Sequence, residues 1–425
     1  MAKKFVMASG VIFLLAVLGA GYYQFQKVES LSEDAKALIA TVQYPEYKTN
    51  LNNRNFFMAA GIEAATDTDA EALGRLRYHK SWELLTKSSL NGKSLDQDTE
   101  IKKYLEHTVV LSAADKRLLK EYRQAIHHNE SLPFLKAKQA KIQSLVTKFS
   151  VQIDRYTTIY NQDYRDLPTS ALGLTLPDTI NLLDMHTLLL AKIMLSPITV
   201  EAKNQQYQQY LTHLRQVEVI SDLGLISQSQ NLRKLGHVVN IINEIAVTEE
   251  VAVGAIKPLT LQEMSVENAL VGEMLFRYRD TASLSQTEFR NKIPKEISVN
   301  QMAAAILPVI ELSKLPYPQM LSGLAQGVNS KPYSAPIKYL RYKHILDIKS
   351  ESKDFIQYAI APRILDYRVH LFNAIQSGLP TSELNTNDAY GQFEERGQKL
   401  CLTLPKEFKT QFEPENAVCL KRPVK

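Results

Sequence analysis

Apolar positions along most of this chain recur every three or four residues, the period of a helix buried on one face. In SAADKRLLKEYRQAIHH, Leu118, Leu119, Tyr122 and Ile126 share one side, and Ser112 with Asp115 three residues on suggests a capping box. After Pro133 the stretch FLKAKQAKIQSLVTKFSVQIDRYTTIY repeats the pattern through Leu135, Ile142, Leu145, Val146, Phe149 and Ile153. Its opposite face carries Lys136, Lys138, Lys141 and Lys148, which reads as a solvated face before it reads as an acidic-partner surface. TINLLDMHTLLLAKIMLS is apolar almost all round and predicts a helix in the middle of the core.

A polar, glutamine-rich helix is expected from Thr199 to Ser221, and another from Gln228 to Glu250. Thr260 and Glu263 form a second capping box ahead of a stripe made by Met264, Ala269, Leu270, Met274 and Leu275. SVNQMAAAILPVIELSK and SKDFIQYAIAPRILDYRVHLFNAIQSG are also helical, with Pro308 and Pro362 expected to kink or end them. Gly378 is placed as a C-terminal cap, with Pro380 beyond it. Alternating runs are scarce: TVVLS near residue 110 and LCLTL near 402 are the short strand candidates. The predicted fold class is all-α, a multi-helix bundle.

The first residues add a compartment to this picture. From Phe5 to Tyr23 no residue carries a formal charge, and a helix of that length rises about 28 Å, close to the roughly 30 Å hydrocarbon core of a bilayer. With Lys3 and Lys4 ahead of it, the segment predicts an uncleaved signal-anchor in preference to a cleaved signal or a buried helix, N-terminus cytoplasmic, with the rest of the chain across a bacterial inner membrane in the periplasm. The domain expectation is an anchor at 1–27, a helical part at 28–170, a helical core part at 171–380, and an irregular tail at 381–425. The internal boundary rests on NQDYRDLPTSALGLTLPD, with its two prolines and glycine.

The tail holds the chain's two cysteines, Cys401 and Cys419. In an oxidising compartment such a pair reads as a disulfide, clamping a short loop or hairpin. Beyond residue 27 basic residues outnumber acidic ones by only two, which gives no argument for nucleic acid.

Chemistry is sparse. There is no G-x-S-x-G elbow, H-E-x-x-H helix, glycine-rich phosphate loop or C-x-x-C. No catalytic, cofactor or metal ligand set is assigned. Asp184 and His186, polar residues in the apolar helix, are the acid–base candidates; structural hydrogen bonds are the plainer reading. His127 and His128 are adjacent and cannot chelate as an i, i+4 pair would, so a helix-end imidazolium is expected there. Glu263 with Glu267, and Glu244 with Glu249 and Glu250, lack the E-x-x-H partners of a di-metal bundle. Tyr333, Tyr339, Tyr342, Tyr358 and Tyr367 could edge the core or line a partner groove.

NRNFFMAAGIEAATDTDAEALGR, with Phe56, Phe57, Gly61, Ala65, Asp67 and Gly74, resembles a segment of uncharacterised, membrane-anchored envelope proteins of proteobacteria. KPLTLQEMSVENAL and AYGQFEERGQKLCL are similar to later parts of such proteins. The resemblance implies an inner-membrane anchor and a periplasmic body, and no activity. Taken together, the expectation is a tethered interaction protein without enzymatic activity, of protective, chaperone or assembly type, with a protein partner. An envelope enzyme of unfamiliar type and a lipid- or cell-wall-binding protein are the alternatives.

Overall fold

The structure is a computed structural model that describes residues 30–41, 54–86, 99–106, 108–161, 179–217, 225–284, 295–328, 348–385, 390–408 and 416–423. The chain first forms α1 (Glu33–Thr41), α2 (Arg54–Ala60), α3 (Asp67–Thr86) and α4 (Thr99–Leu105). Two glycines let α2 and α3 approach. A Cβ on Gly61 would lie 2.2 Å from the Ala70 carbonyl oxygen, and one on Gly74 would lie 1.9 Å from that of Phe57. Arg155, wholly buried, ties this corner to the body. Its Nε donates to Asp67 at 2.7 Å and its Nη1 to the carbonyls of Ile62 and Ala64 at 2.7 and 2.8 Å.

The middle of the chain forms α5 (Ala113–His127), α6 (Ser131–Lys148), α7 (Ser150–Asn161), α8 (Thr179–Leu195), α9 (Val200–Val217) and α10 (Leu225–Thr248). Both hydrogen bonds of the Ser112–Asp115 capping box are made. Leu135, Ile142, Leu145, Val146, Phe149 and Ile153 are all buried, and the four lysines opposite them are exposed. The helix expected to run on from Pro133 breaks at Phe149 into α6 and α7. α8 is buried along nearly its whole described length, as its unbroken apolar pattern demands. The Glu244 carboxylate, carried by α10, accepts from the Ser131 and Leu132 amides at 2.9 and 3.0 Å and from the Ser131 hydroxyl at 2.5 Å. A negative charge thereby meets the positive end of the α6 dipole.

Next come α11 (Leu261–Met264), α12 (Glu267–Leu284), α13 (Lys295–Ser313), α14 (Tyr317–Gln326), α15 (Ile348–Ser377) and α16 (Thr381–Leu384). The Thr260–Glu263 capping box is formed, but it opens a single turn. Ser265 adopts extended backbone, and α12 starts afresh two residues on. Neither Pro308 nor Pro362 ends its helix. A proline inside a helix costs about 3 kcal/mol, which a few buried side chains offset at roughly 1.5–3 kcal/mol each. Gly378 takes the left-handed conformation, φ 67°, that a C-terminal cap requires.

The C-terminal region corrects the all-helical expectation. β1 (Phe393–Arg396), β2 (Lys399–Thr403) and β3 (Ala417–Lys421) form an antiparallel sheet in that order. Cys401 lies directly opposite Cys419 in the β2–β3 register, and the two are joined as the expected disulfide. TVVLS forms no strand: the Val109 amide reaches the Glu63 carbonyl at 3.1 Å, a single link that no ladder extends. One apolar core runs from Ala35 to Leu420, drawing on residues either side of position 170.

The membrane expectation is withdrawn. Among the described residues no helix is long and apolar enough to cross a membrane, and residues 5–23 lie outside them. Single-pass inner-membrane anchoring, with the topology and localisation that depended on it, therefore has no structural support. The boundary segment 162–178 also lies outside the described residues.

Candidate functional site

Asp184 and His186 do not act together. Two positions apart on a helix, they point about 200° away from each other. Asp184 is paired with Arg123 of α5, Oδ1 to Nη1 at 2.5 Å, and Arg123 also donates to the Thr187 hydroxyl at 3.3 Å. His186 turns the other way: its Nδ1 is 2.7 Å from the Tyr210 hydroxyl, itself 2.9 Å from that of Tyr156. Burial, then His237, Lys234 and Arg123, hold the His186 imidazole well below its ordinary pKa, so it is neutral. A carboxylate committed to an arginine and a neutral, buried imidazole make no acid–base dyad.

What they support is a cleft. The His186 ring stacks on His237 of α10, centroids 5.6 Å apart and planes 23° from parallel. His237 in turn lines a cavity of about 540 Å³ between α5, α10 and α15. α5 contributes Lys120, Arg123 and His127, with His128 as its C-terminal cap; α10 contributes Arg233 and His237; α15 contributes Arg368. Gly236 keeps the α10 wall low where Arg368 crosses it, the Arg368 Nε lying 3.9 Å from the place a Cβ would occupy. Leu232, Ala361, Ile364 and Leu365 give the remaining wall an apolar character, and no carboxylate belongs to the lining.

The electrostatics follow from this concentration of cations. Burial, then Arg233, Arg123, His127 and Arg368, push the His237 pKa down to about 3. Burial, then Arg368, His128, Lys399 and Arg233, push His127 down to about 4. Burial and the neighbouring Arg123 lower even the Arg233 guanidinium. Arg123 is balanced by Asp184, and Arg368 donates to the Asn240 amide oxygen at 2.7 Å. Among the described residues, Lys120 and Arg233 make no ion pair. Like charges gathered in a concave site raise the local concentration of counter-ions, so the cleft is suited to an anion.

His127 corrects an expectation. It sits at the end of α5, but it is half-buried and neutral, because burial and then the cations around it outweigh the helix dipole. The glutamates also resolve into structure. Glu263 holds Arg215 through two hydrogen bonds of 2.8 and 2.9 Å, Glu267 pairs with Lys314, and Glu244 caps α6. No cluster of three metal-ligating side chains occurs among the described residues. Tyr333, Tyr339 and Tyr342 lie outside those residues. Tyr367 is buried beside Tyr317, Tyr390 and Phe408, donating to the Tyr390 carbonyl at 2.7 Å, and so edges the core rather than a groove.

The cleft residues Lys120, Arg123, Arg233, His237 and Arg368 were not singled out from sequence. One signal was available: His237, Asn240 and Glu244 recur at helical spacing on the buried side of an otherwise apolar stretch. In comparisons with known proteins, no family model matches the chain, and neither does any curated protein or solved structure.

Proposed function

We propose that this chain is a binding protein without catalytic chemistry of its own, and that its helical body receives an acidic ligand in the cleft between α5, α10 and α15. One observation carries the reading: seven cationic or imidazole side chains from three helices line a single cavity that has no carboxylate in its wall. The enzyme alternative loses ground because its two candidate residues, Asp184 and His186, are engaged in buried structural bonds. The interaction reading keeps its general form, with the partner narrowed to one that presents negative charge.

Calorimetric titration of the full chain with inorganic phosphate, sulfate and citrate tests this at low and moderate salt. Saturable binding that weakens with added salt is expected. Arg233→Glu, a change at an exposed position, should weaken it by about tenfold or more while leaving the melting temperature close to wild type, the size expected for loss of a charge-assisted contact. No binding by any of the three anions, or equal binding by the variant, would sink the proposal.

A further inference from the structure

Resting on the reading of the cleft as an anion site, we infer that its ligand is an organic phosphomonoester. The tetrahedral phosphoryl group would be gripped from three sides, and its carbon body would lie along the apolar wall. Three guanidinium groups reach the cavity from three different helices, Arg123 from α5, Arg233 from α10 and Arg368 from α15. A carboxylate offers two oxygens in one plane, which a single arginine fork satisfies. A phosphomonoester offers three terminal oxygens diverging from one atom, which suits donors supplied by three separate helices around one cavity.

Charge points the same way. The Arg123 charge is offset by Asp184 at 2.5 Å, while Arg233 and Lys120 make no ion pair among the described residues. The charges of Arg233 and Lys120 can meet the dianion that a phosphomonoester approaches above its second pKa of about 6. Size argues for more than the bare anion, since about 540 Å³ falls within the range of pockets that hold organic ligands. Leu232, Ile364 and Leu365 supply the apolar surface for the ester group. His237 completes the site. It is 7% exposed, it lines the cavity, and its Nδ1 meets no partner among the described residues. A neutral imidazole has one nitrogen that donates and one that accepts, so it can pair with the bridging oxygen or with a hydroxyl of the ester group.

The test compares three probes on the full chain: 1-naphthyl phosphate, 1-naphthoate and inorganic phosphate. Naphthyl phosphate is expected to bind about tenfold or more tightly than either of the others, the worth of one further charge-assisted contact or of the buried ring. Naphthoate binding as well as the ester would overturn the phosphoryl assignment while leaving the anion cleft standing. Inorganic phosphate binding as well as the ester would overturn the organic body. Failure of all three, with phosphate, sulfate and citrate also inert, would remove the cleft reading itself.

Discussion

His127 and His237 give up their protons in this fold for a shared reason: burial disfavours the imidazolium, and the cations around them disfavour it further. For His237 these include Arg233 on its own helix, Arg123 and His127 from α5, and Arg368 from α15, with the His186 ring stacked behind. The stability consequence has a definite sign. Both folded values, about 4 and about 3, lie below the ordinary 6.5, so the unfolded chain binds more protons between them. The contribution is complete above pH 6.5 and is lost as pH falls toward the folded values. Melting temperature measured from pH 7.5 down to 4 should therefore fall, and His237→Gln should flatten that slope; an unchanged slope would mean that His237 is not the acid-sensitive group. The sequence pointed to Asp184 and His186, which lie behind the cleft wall, and to the His127–His128 pair, which lines it, without naming the cleft. Arg233 and Arg368 are 135 positions apart, and nothing local to either marks a shared cavity. Only the packing of α10 on α15 brings them together.

Elements were far more legible than their meeting places. Both capping boxes, the apolar face of α6 and α7, the all-round burial of α8 and the Gly378 cap follow from short-range chemistry that the chain states locally. The departures arise where tertiary packing outweighs a local rule, as at Pro308 and Pro362, which remain inside helices, or where strands such as FEER are too short and charged to show alternation. Glu244 shows how one element depends on another. Three donors at the start of α6 converge on a carboxylate from α10. Glu244→Gln retains the size but loses the charge and turns one acceptor into a donor. Chemical denaturation should register a loss of about 2–3 kcal/mol, the scale for a buried hydrogen bond to a charged group. A loss under about 0.5 kcal/mol would show that α6 does not need this cap, since uncharged caps alone exceed that.

At the scale of the whole molecule, one core draws on residues from Ala35 to Leu420, and the boundary read from NQDYRDLPTSALGLTLPD lies in a segment outside the described residues. The disulfide was readable from two cysteines alone, and strand β2 from LCLTL; strands β1 and β3 on either side of it were not. Replacing Cys401 and Cys419 together with serine should lower unfolding stability by roughly 3 kcal/mol on the chain-entropy account, measured by denaturant titration under non-reducing conditions. The wild type under reducing conditions should match the double variant; if it does not, the serines themselves disturb the sheet.

Strand β3 also reaches back across the chain. The Asn129 side chain, just after α5, donates to the Cys419 carbonyl at 3.3 Å, and Asn243 of α10 donates to that of Lys421 at 2.9 Å. During synthesis, α5 and α10 leave the ribosome well before those carbonyls exist. Two of the cleft's three walls are therefore made early and pinned last. A chain lacking β3 would hold the right arginines in helices joined only by direct bonds such as that from the Asn240 side chain to the Ile126 carbonyl, 3.0 Å. Competence to bind would then rise when β3 pairs with β2, rather than growing steadily with chain length.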